Sequence, residues 1–236
     1  MLTYTCLLAQ ALGFLGIAGE AKVRLTSSWA GAPPTKHAAL LSIASRRGLV
    51  AAAGPDAVVL ANTQTVRKAF ESPRDGTSEI RHVNPELRLP MPMRVSILSF
   101  TADENFLLLS AESGGGLAVY SVDSLLQSST QSAFELATNG ESLRALAPNP
   151  TREKAGLCAV LTEGGNLYMA NLMDRTLVML KSQVSSVSWS NRGKQLVAGL
   201  ADGLIAQITP EGETKAMIPK PPSIPDDHYG ERATID

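Results

Sequence analysis

The sequence predicts an all-β chain folded as a β-propeller, a WD-repeat-like array of four-stranded blades. Short apolar runs return about every ten residues, separated by Gly, Pro, Asn and Asp, the residues that punctuate strands. Groups of three or four such runs return in turn near the ~40–45-residue period of a propeller blade. The few helical stretches are too short for the helical layer of a βαβ fold. An immunoglobulin-type sandwich does not repeat at blade length.

In chain order, residues 1–10 stand outside the pattern as an N-terminal extension. Residues 12–25 (LGFLGIAGEAKVRL) read as a strand pair opening a propeller region at 11–218. The first blade is 40–62 (LLSIASRRGLVAAAGPDAVVLAN), which runs strand, turn, strand, turn, strand. Residues 64–70 read as helix; 72–84 (SPRDGTSEIRHVN), polar and carrying Pro, Gly and Asp, read as a surface insertion. The second copy is 95–122 (VSILSFTADENFLLLSAESGGGLAVYSV), followed by a helical stretch at 123–127. The third is 142–172 (SLRALAPNPTREKAGLCAVLTEGGNLYMANL) and the fourth is 184–209 (VSSVSWSNRGKQLVAGLADGLIAQIT). Phe100, Ala147 and Trp189 end equivalent first strands and lie 47 and 42 residues apart; Ile43 precedes Phe100 by 57, the excess falling in the insertion. Fainter fourth strands follow at 85–89, 134–137, 176–181 and 214–218, as expected of outer strands that face solvent. Residues 219–236, Pro-rich and charged, do not read as a closing strand, so the ring is expected to be cut rather than closed.

Composition narrows the function. A hydrophobic content of 44 % over 236 residues is incompatible with global disorder. Lys and Arg number 21 against 22 Asp and Glu, so the net charge of -1 gives no electrostatic case for wrapping nucleic acid or coating an anionic membrane. Neither is expected as a direct partner. Cys6 and Cys158 have no metal-ligand spacing, and His37, His82 and His228 stand apart from them and from one another. No metal or cofactor is expected. Two thiols without a framework fit a reducing compartment. The apolar start, residues 1–19, lacks the Lys or Arg that precedes a signal peptide's apolar core.

Several motifs invite a chemical reading and lose it on inspection. Gly114-Gly115-Gly116 is followed by a strand, LAVYSV, whereas a phosphate loop needs a helix N-terminus facing the anion. Gly193-Lys194 lacks the earlier glycine of a nucleotide loop and has Gln195 where Ser or Thr would hold magnesium. Glu163-Gly164-Gly165 and Asp202-Gly203 occupy the same repeat position as Gly114 to Gly116, so all three read as hairpin turns. There is no G-x-S-x-G elbow. The histidines fall in polar stretches, and Asp226-Asp227 reads as solvated tail. Trp189 ends an apolar strand and reads as core; Trp29 lies in a loop-like run and reads as a cap on a blade edge.

Residues 50–70 (VAAAGPDAVVLANTQTVRKAF), 110–126 (SAESGGGLAVYSVDSLL) and 187–213 (VSWSNRGKQLVAGLADGLIAQITPEGE) resemble the N-terminal β-propeller of the large fungal nucleoporins of the cytoplasmic filaments. The resemblance runs over roughly residues 11–222. It implies a seven-bladed ring that recruits the DEAD-box RNA helicase of messenger-RNA export to the cytoplasmic face of the nuclear pore complex, among other nucleoporins. It also implies that a basic loop in later blades, beyond Asp236, grips the helicase, so no partner-binding residue is assigned in this chain. Its longest basic run of interest, Arg46-Arg47, is a turn with two charges.

The expected function is therefore a non-catalytic interaction platform in messenger-RNA export and nucleocytoplasmic transport. One alternative is a generic WD-repeat-like scaffold, although the Gly-His and Trp-Asp marks of that family are absent. The other is a propeller-fold hydrolase, which would need acids or histidines on several innermost strands. The three clearest, 95–100, 142–146 and 184–189, carry only Glu141 and Arg144 at or near them. No catalytic, cofactor-binding or metal residue is assigned.

Overall fold

A computed structural model describes residues 23–34, 37–71 and 80–219. Four four-stranded antiparallel sheets follow one another along the chain. The first comprises β2 (Leu41–Ala44), β3 (Leu49–Ala53), β4 (Ala57–Asn62) and β6 (Leu87–Pro90). The second comprises β7 (Val95–Phe100), β8 (Phe106–Ala111), β9 (Leu117–Ser121) and β10 (Phe134–Leu136). In the third are β11 (Leu143–Pro148), β12 (Leu157–Thr162), β13 (Leu167–Asn171) and β14 (Thr176–Lys181). In the fourth are β15 (Val184–Trp189), β16 (Leu196–Leu200), β17 (Ile205–Ile208) and β18 (Thr214–Ile218). Innermost strands β2, β7, β11 and β15 are neighbours in chain order. This is propeller architecture, with each sheet a blade.

Burial explains why the middle strands read as unbroken apolar runs. A strand covered on both faces has no solvent side to alternate towards. In β3 every residue of LVAAA is buried, and in β4 only Asn62 is not. One face packs Ala51, Ala53, Val58 and Leu60 against Leu98, Leu107 and Leu109 of the second blade. The next interface sets Ile97, Leu108 and Val119 against Cys158, Val160 and Tyr168. The third sets Ala159, Leu161 and Leu167 against Leu196, Ala198 and Ile208. Of the three turns predicted to be equivalent, those at Gly165 and Gly203 match in hydrogen bonding. Thr162 N–H donates to Asn166 and Gly165 N–H to Thr162, as Leu200 N–H donates to Leu204 and Gly203 N–H to Leu200.

Two predicted features change. β1 (Val23–Arg24) pairs in parallel with Arg81–His82, β5, and not with an upstream strand; residues 11–22 of the expected strand pair lie outside the described residues. The surface insertion therefore ends as structure, because Val83 is buried against Val50 and Ala61. The first blade's free face has to be covered, and Val23, Leu25 and Val83 cover it together with Val66 and Ala69 of α1 (Thr63–Glu71). Residues 72–79 lie outside the described residues. The second short helix, α2 (Val122–Leu126), starts at Ser121, whose hydroxyl accepts from Ser124 N–H, and buries Val122 and Leu125 between the first two blades.

Candidate interaction surface

Polar clamps between blades occupy groups that would otherwise be open to a partner. Glu104, in the β7–β8 turn, accepts from Arg47 N–H at 2.8 Å and from Arg46 N–H and Nε at 3.2 Å each. Burial works to raise its pKa, but these hydrogen bonds and the Arg46 charge outweigh it and hold the carboxyl below its ordinary value. Arg47 continues to Asp123 at 2.7 Å and Asn105 at 3.0 Å. The Arg46-Arg47 turn thus binds the second blade. Between the third and fourth blades, Asn149 Nδ2 donates to the Gly193 carbonyl at 2.9 Å and Trp189 Nε1 to the Ala147 carbonyl at 2.7 Å. The sequence reading missed this first clamp: Glu104 stands in a T-A-D-E-N turn, and only the structure shows its φ of 63°, which favours Gly or Asn, and its partners.

The other singled-out residues are dispersed. Gly114 to Gly116 form the β8–β9 turn, and Gly115 is pressed so closely on the next blade that a Cβ would lie 2.5 Å from the Gly140 carbonyl carbon. Glycine is there for room, not for a ligand. Gly193-Lys194 lies in the β15–β16 turn. His37 and His82 are exposed and separate, Cys158 is fully buried, and burial pushes its thiol well above the ordinary range. Cys6, His228, Asp226 and Asp227 lie outside the described residues. Among the described residues no three His, Cys, Asp or Glu side chains come together as a metal site. Trp189 is part of the third interface. Trp29 lies under the Arg94 guanidinium, 5.2 Å from its ring centre, and so sits at the start of the second blade's inner strand.

A cleft of about 570 Å³ opens where the inner strands of the second and third blades begin. Arg94, Glu112, Glu141 and Glu163 line it beside Pro33 and Pro34. Arg94 pairs with Glu112 at 3.5 Å and donates to the Ala32 carbonyl, while Glu141 accepts from Asn166 Nδ2 at 2.9 Å. Arg144, on β11, is half-buried.

Comparison with known proteins agrees with the architecture. The family described as the NUP159/214 beta propeller matches residues 34–235. Nucleoporin NUP159 of Chaetomium thermophilum is 62 % identical over 225 residues, which is 93 % of this chain and 15 % of that protein. The chain thus spans a small part of its curated relative's length. Among solved structures, the N-terminal domain of Nup159 superposes with a TM-score of 0.61 at 18 % identity, covering 83 % of this chain and 47 % of that one. A complex of S. cerevisiae Dbp5 bound to Nup159, Gle1, IP6 and ADP contains a chain of TM-score 0.61 at 16 % identity, covering 89 % of this chain and 55 % of that chain. At these identities the two structures speak for the fold alone.

Proposed function

This chain belongs to the NUP159/214 β-propeller family, and from that premise we propose that it serves as a non-catalytic docking platform of a nuclear pore nucleoporin. It acts in messenger-RNA export and nucleocytoplasmic transport, at the cytoplasmic face of the pore. The observation that carries this reading is identity of 62 % with a nucleoporin, spread over 93 % of the chain. The solved S. cerevisiae complex of Dbp5 with Nup159 and Gle1 supports a DEAD-box helicase as the partner of the family's propeller.

The four blades act as scaffold and do not themselves grip the helicase. The run that would suit an acidic helicase surface, Arg46-Arg47, spends its charges on Glu104 and Asp123. The test is calorimetry of the 236-residue chain, and of the full propeller of the 62 %-identical relative, against the export helicase. The relative should bind, more weakly as salt rises, and this chain should not. Tight binding by this chain would place the grip in these blades; failure of both would remove the helicase from the proposal.

The platform has no hydrolase activity. Support comes from the lack of converging nucleophile, base and orienting group around the cleft, where Glu112 and Glu141 are held by Arg94 and Asn166. Turnover of ester, phosphate or peptide substrates that disappears on a single substitution would overturn this.

A further inference from the structure

The Asn149 clamp has a second effect. Asn149 Oδ1 also accepts from Thr151 N–H at 3.0 Å and Thr151 Oγ1 at 2.9 Å, so it holds the β11–β12 turn tightly against the β15–β16 turn. Arg152 follows Thr151 directly, and Arg192 and Lys194 flank Gly193. With Lys154, four exposed cations from two turns are gathered on one end of the third and fourth blades. Arg152 is three residues from Asn149 and Arg192 one residue from Gly193, so at about 3.8 Å per residue the Asn149 bond brings the two backbones to within about 20 Å, about two Debye lengths at moderate salt. None of the four forms an ion pair among the described residues; the acids in these turns are Glu153 and, next to Met173, Asp174, which accepts from Asn171 Nδ2. In a chain of net charge -1 this is a local concentration of positive charge.

An apolar group stands beside it. Leu172 N–H donates to the Gly156 carbonyl at 2.7 Å, and a Cβ on Gly156 would come 3.0 Å from Met173 Cγ. Met173, in the β13–β14 turn, is 72 % exposed. A flexible thioether left in water beside unpaired cations suits a partner that brings both an aliphatic side chain and carboxylates.

We propose that the turns carrying Arg152, Lys154, Met173, Arg192 and Lys194 form a docking surface for an acidic protein segment with an apolar residue among its carboxylates. Charge complementarity selects the acidic partner. Single-stranded nucleic acid would want exposed aromatic platforms, and the aromatic rings on the adjoining strands, Tyr168 and Trp189, are packed in blade interfaces. The inference follows from this geometry and does not depend on the helicase reading above.

The test uses the 236-residue chain and fluorescence anisotropy with a labelled Asp-Glu-Asp-Leu-Asp-Glu-Asp peptide, its Leu-to-Ser counterpart and oligouridine. The leucine peptide should bind saturably, more tightly than the serine peptide, and lose affinity as added salt shortens the screening length from about 10 Å to about 3 Å. Arg192→Glu with Lys194→Glu should weaken it at least about tenfold. Lys181→Glu with Lys215→Glu, the same change of net charge on outer strands, should leave it unaltered. Met173→Ser should weaken the leucine peptide and not the serine one. No saturable peptide binding at low salt, equal losses in both charge-reversed pairs, or binding of oligouridine in preference to either peptide would each overturn the proposal. Lys181 is half-buried and the other substituted side chains are exposed, and circular dichroism of each variant should match the parent.

Discussion

Glu104 offers the sharpest test of how the blades are joined. Its residue is 8 % exposed, yet it sits at a φ of 63°, a left-handed conformation that costs a residue with a Cβ about 1 kcal/mol. If the carboxylate did nothing, Glu104→Gly would remove that strain and stabilise the chain by about 1 kcal/mol. The structure argues the opposite sign. The carboxylate takes two backbone N–H groups and the Arg46 side chain from the first blade's turn. Hydrogen bonds to a charged group contribute about 1.5–3 kcal/mol each and do not add fully within one cluster. Glu104→Ala, which keeps the strain and loses the bonds, should therefore cost about 3 kcal/mol, and Glu104→Gly about 2 kcal/mol.

The pH dependence of that cost has a defined sign. A carboxyl whose folded pKa lies below the ordinary value of 4.5 stabilises the fold above 4.5, and loses that contribution as pH falls through the folded value. The gap between the parent and Glu104→Ala should thus be widest near neutrality and close in acid, with the alanine variant losing less on acidification. Urea unfolding followed by tryptophan fluorescence, at about pH 7 and about pH 3, measures this. A glycine variant as stable as the parent, or a gap that widens in acid, would refute the assignment of the first interface to this carboxylate.

Three further outcomes are expected. Gly115→Ala should destabilise the chain by about 2–3 kcal/mol, read as a lowered urea midpoint, because its Cβ would meet the Gly140–Glu141 backbone at 2.5–2.7 Å. Trp189→Phe keeps the ring and removes the bond to Ala147, so it should cost about 1 kcal/mol. In a Cys6→Ser background, Cys158 should resist a thiol-selective reagent at mildly alkaline pH and react once urea separates the second and third blades. It is wholly buried between them, with its thiol held protonated.

What was legible in the sequence was what each blade owes to itself. β7, β14, β15 and β18 fall where the apolar runs place them, and the Gly165 and Gly203 turns fall where the repeat puts them. Strand and turn chemistry is local, and a buried strand pair needs its apolar run whatever its neighbours are. β6 starts two residues later and ends one residue later than its expected place at 85–89. The parallel pairing of Val23–Arg24 with Arg81–His82 was hidden because parallel partners are joined by a long crossover, here interrupted by a whole three-stranded hairpin unit and a helix.

What was illegible was what one blade owes to the next. Arg46 and Glu104 are separated by 58 residues, Asn149 and Gly193 by 44, and Trp189 and Ala147 by 42. The last two are close to the blade repeat itself, so they join equivalent places in successive blades. A repeat period predicts that such places will meet, but not that polar side chains will clamp them. Arg46-Arg47 shows the consequence: as a string it is a basic turn offering two charges, and in the fold it is an internal strut. Arg152, Lys154, Arg192 and Lys194 show the converse, since no single run is dense in charge and the Asn149 clamp makes it so. In a propeller the cores between blades restrict the strand residues throughout, and turn residues only where, as at Glu104, Gly115 and Asn149, they meet the next blade. Interaction surfaces are therefore written in the turns, two or more blades at a time, where only the fold brings their residues together.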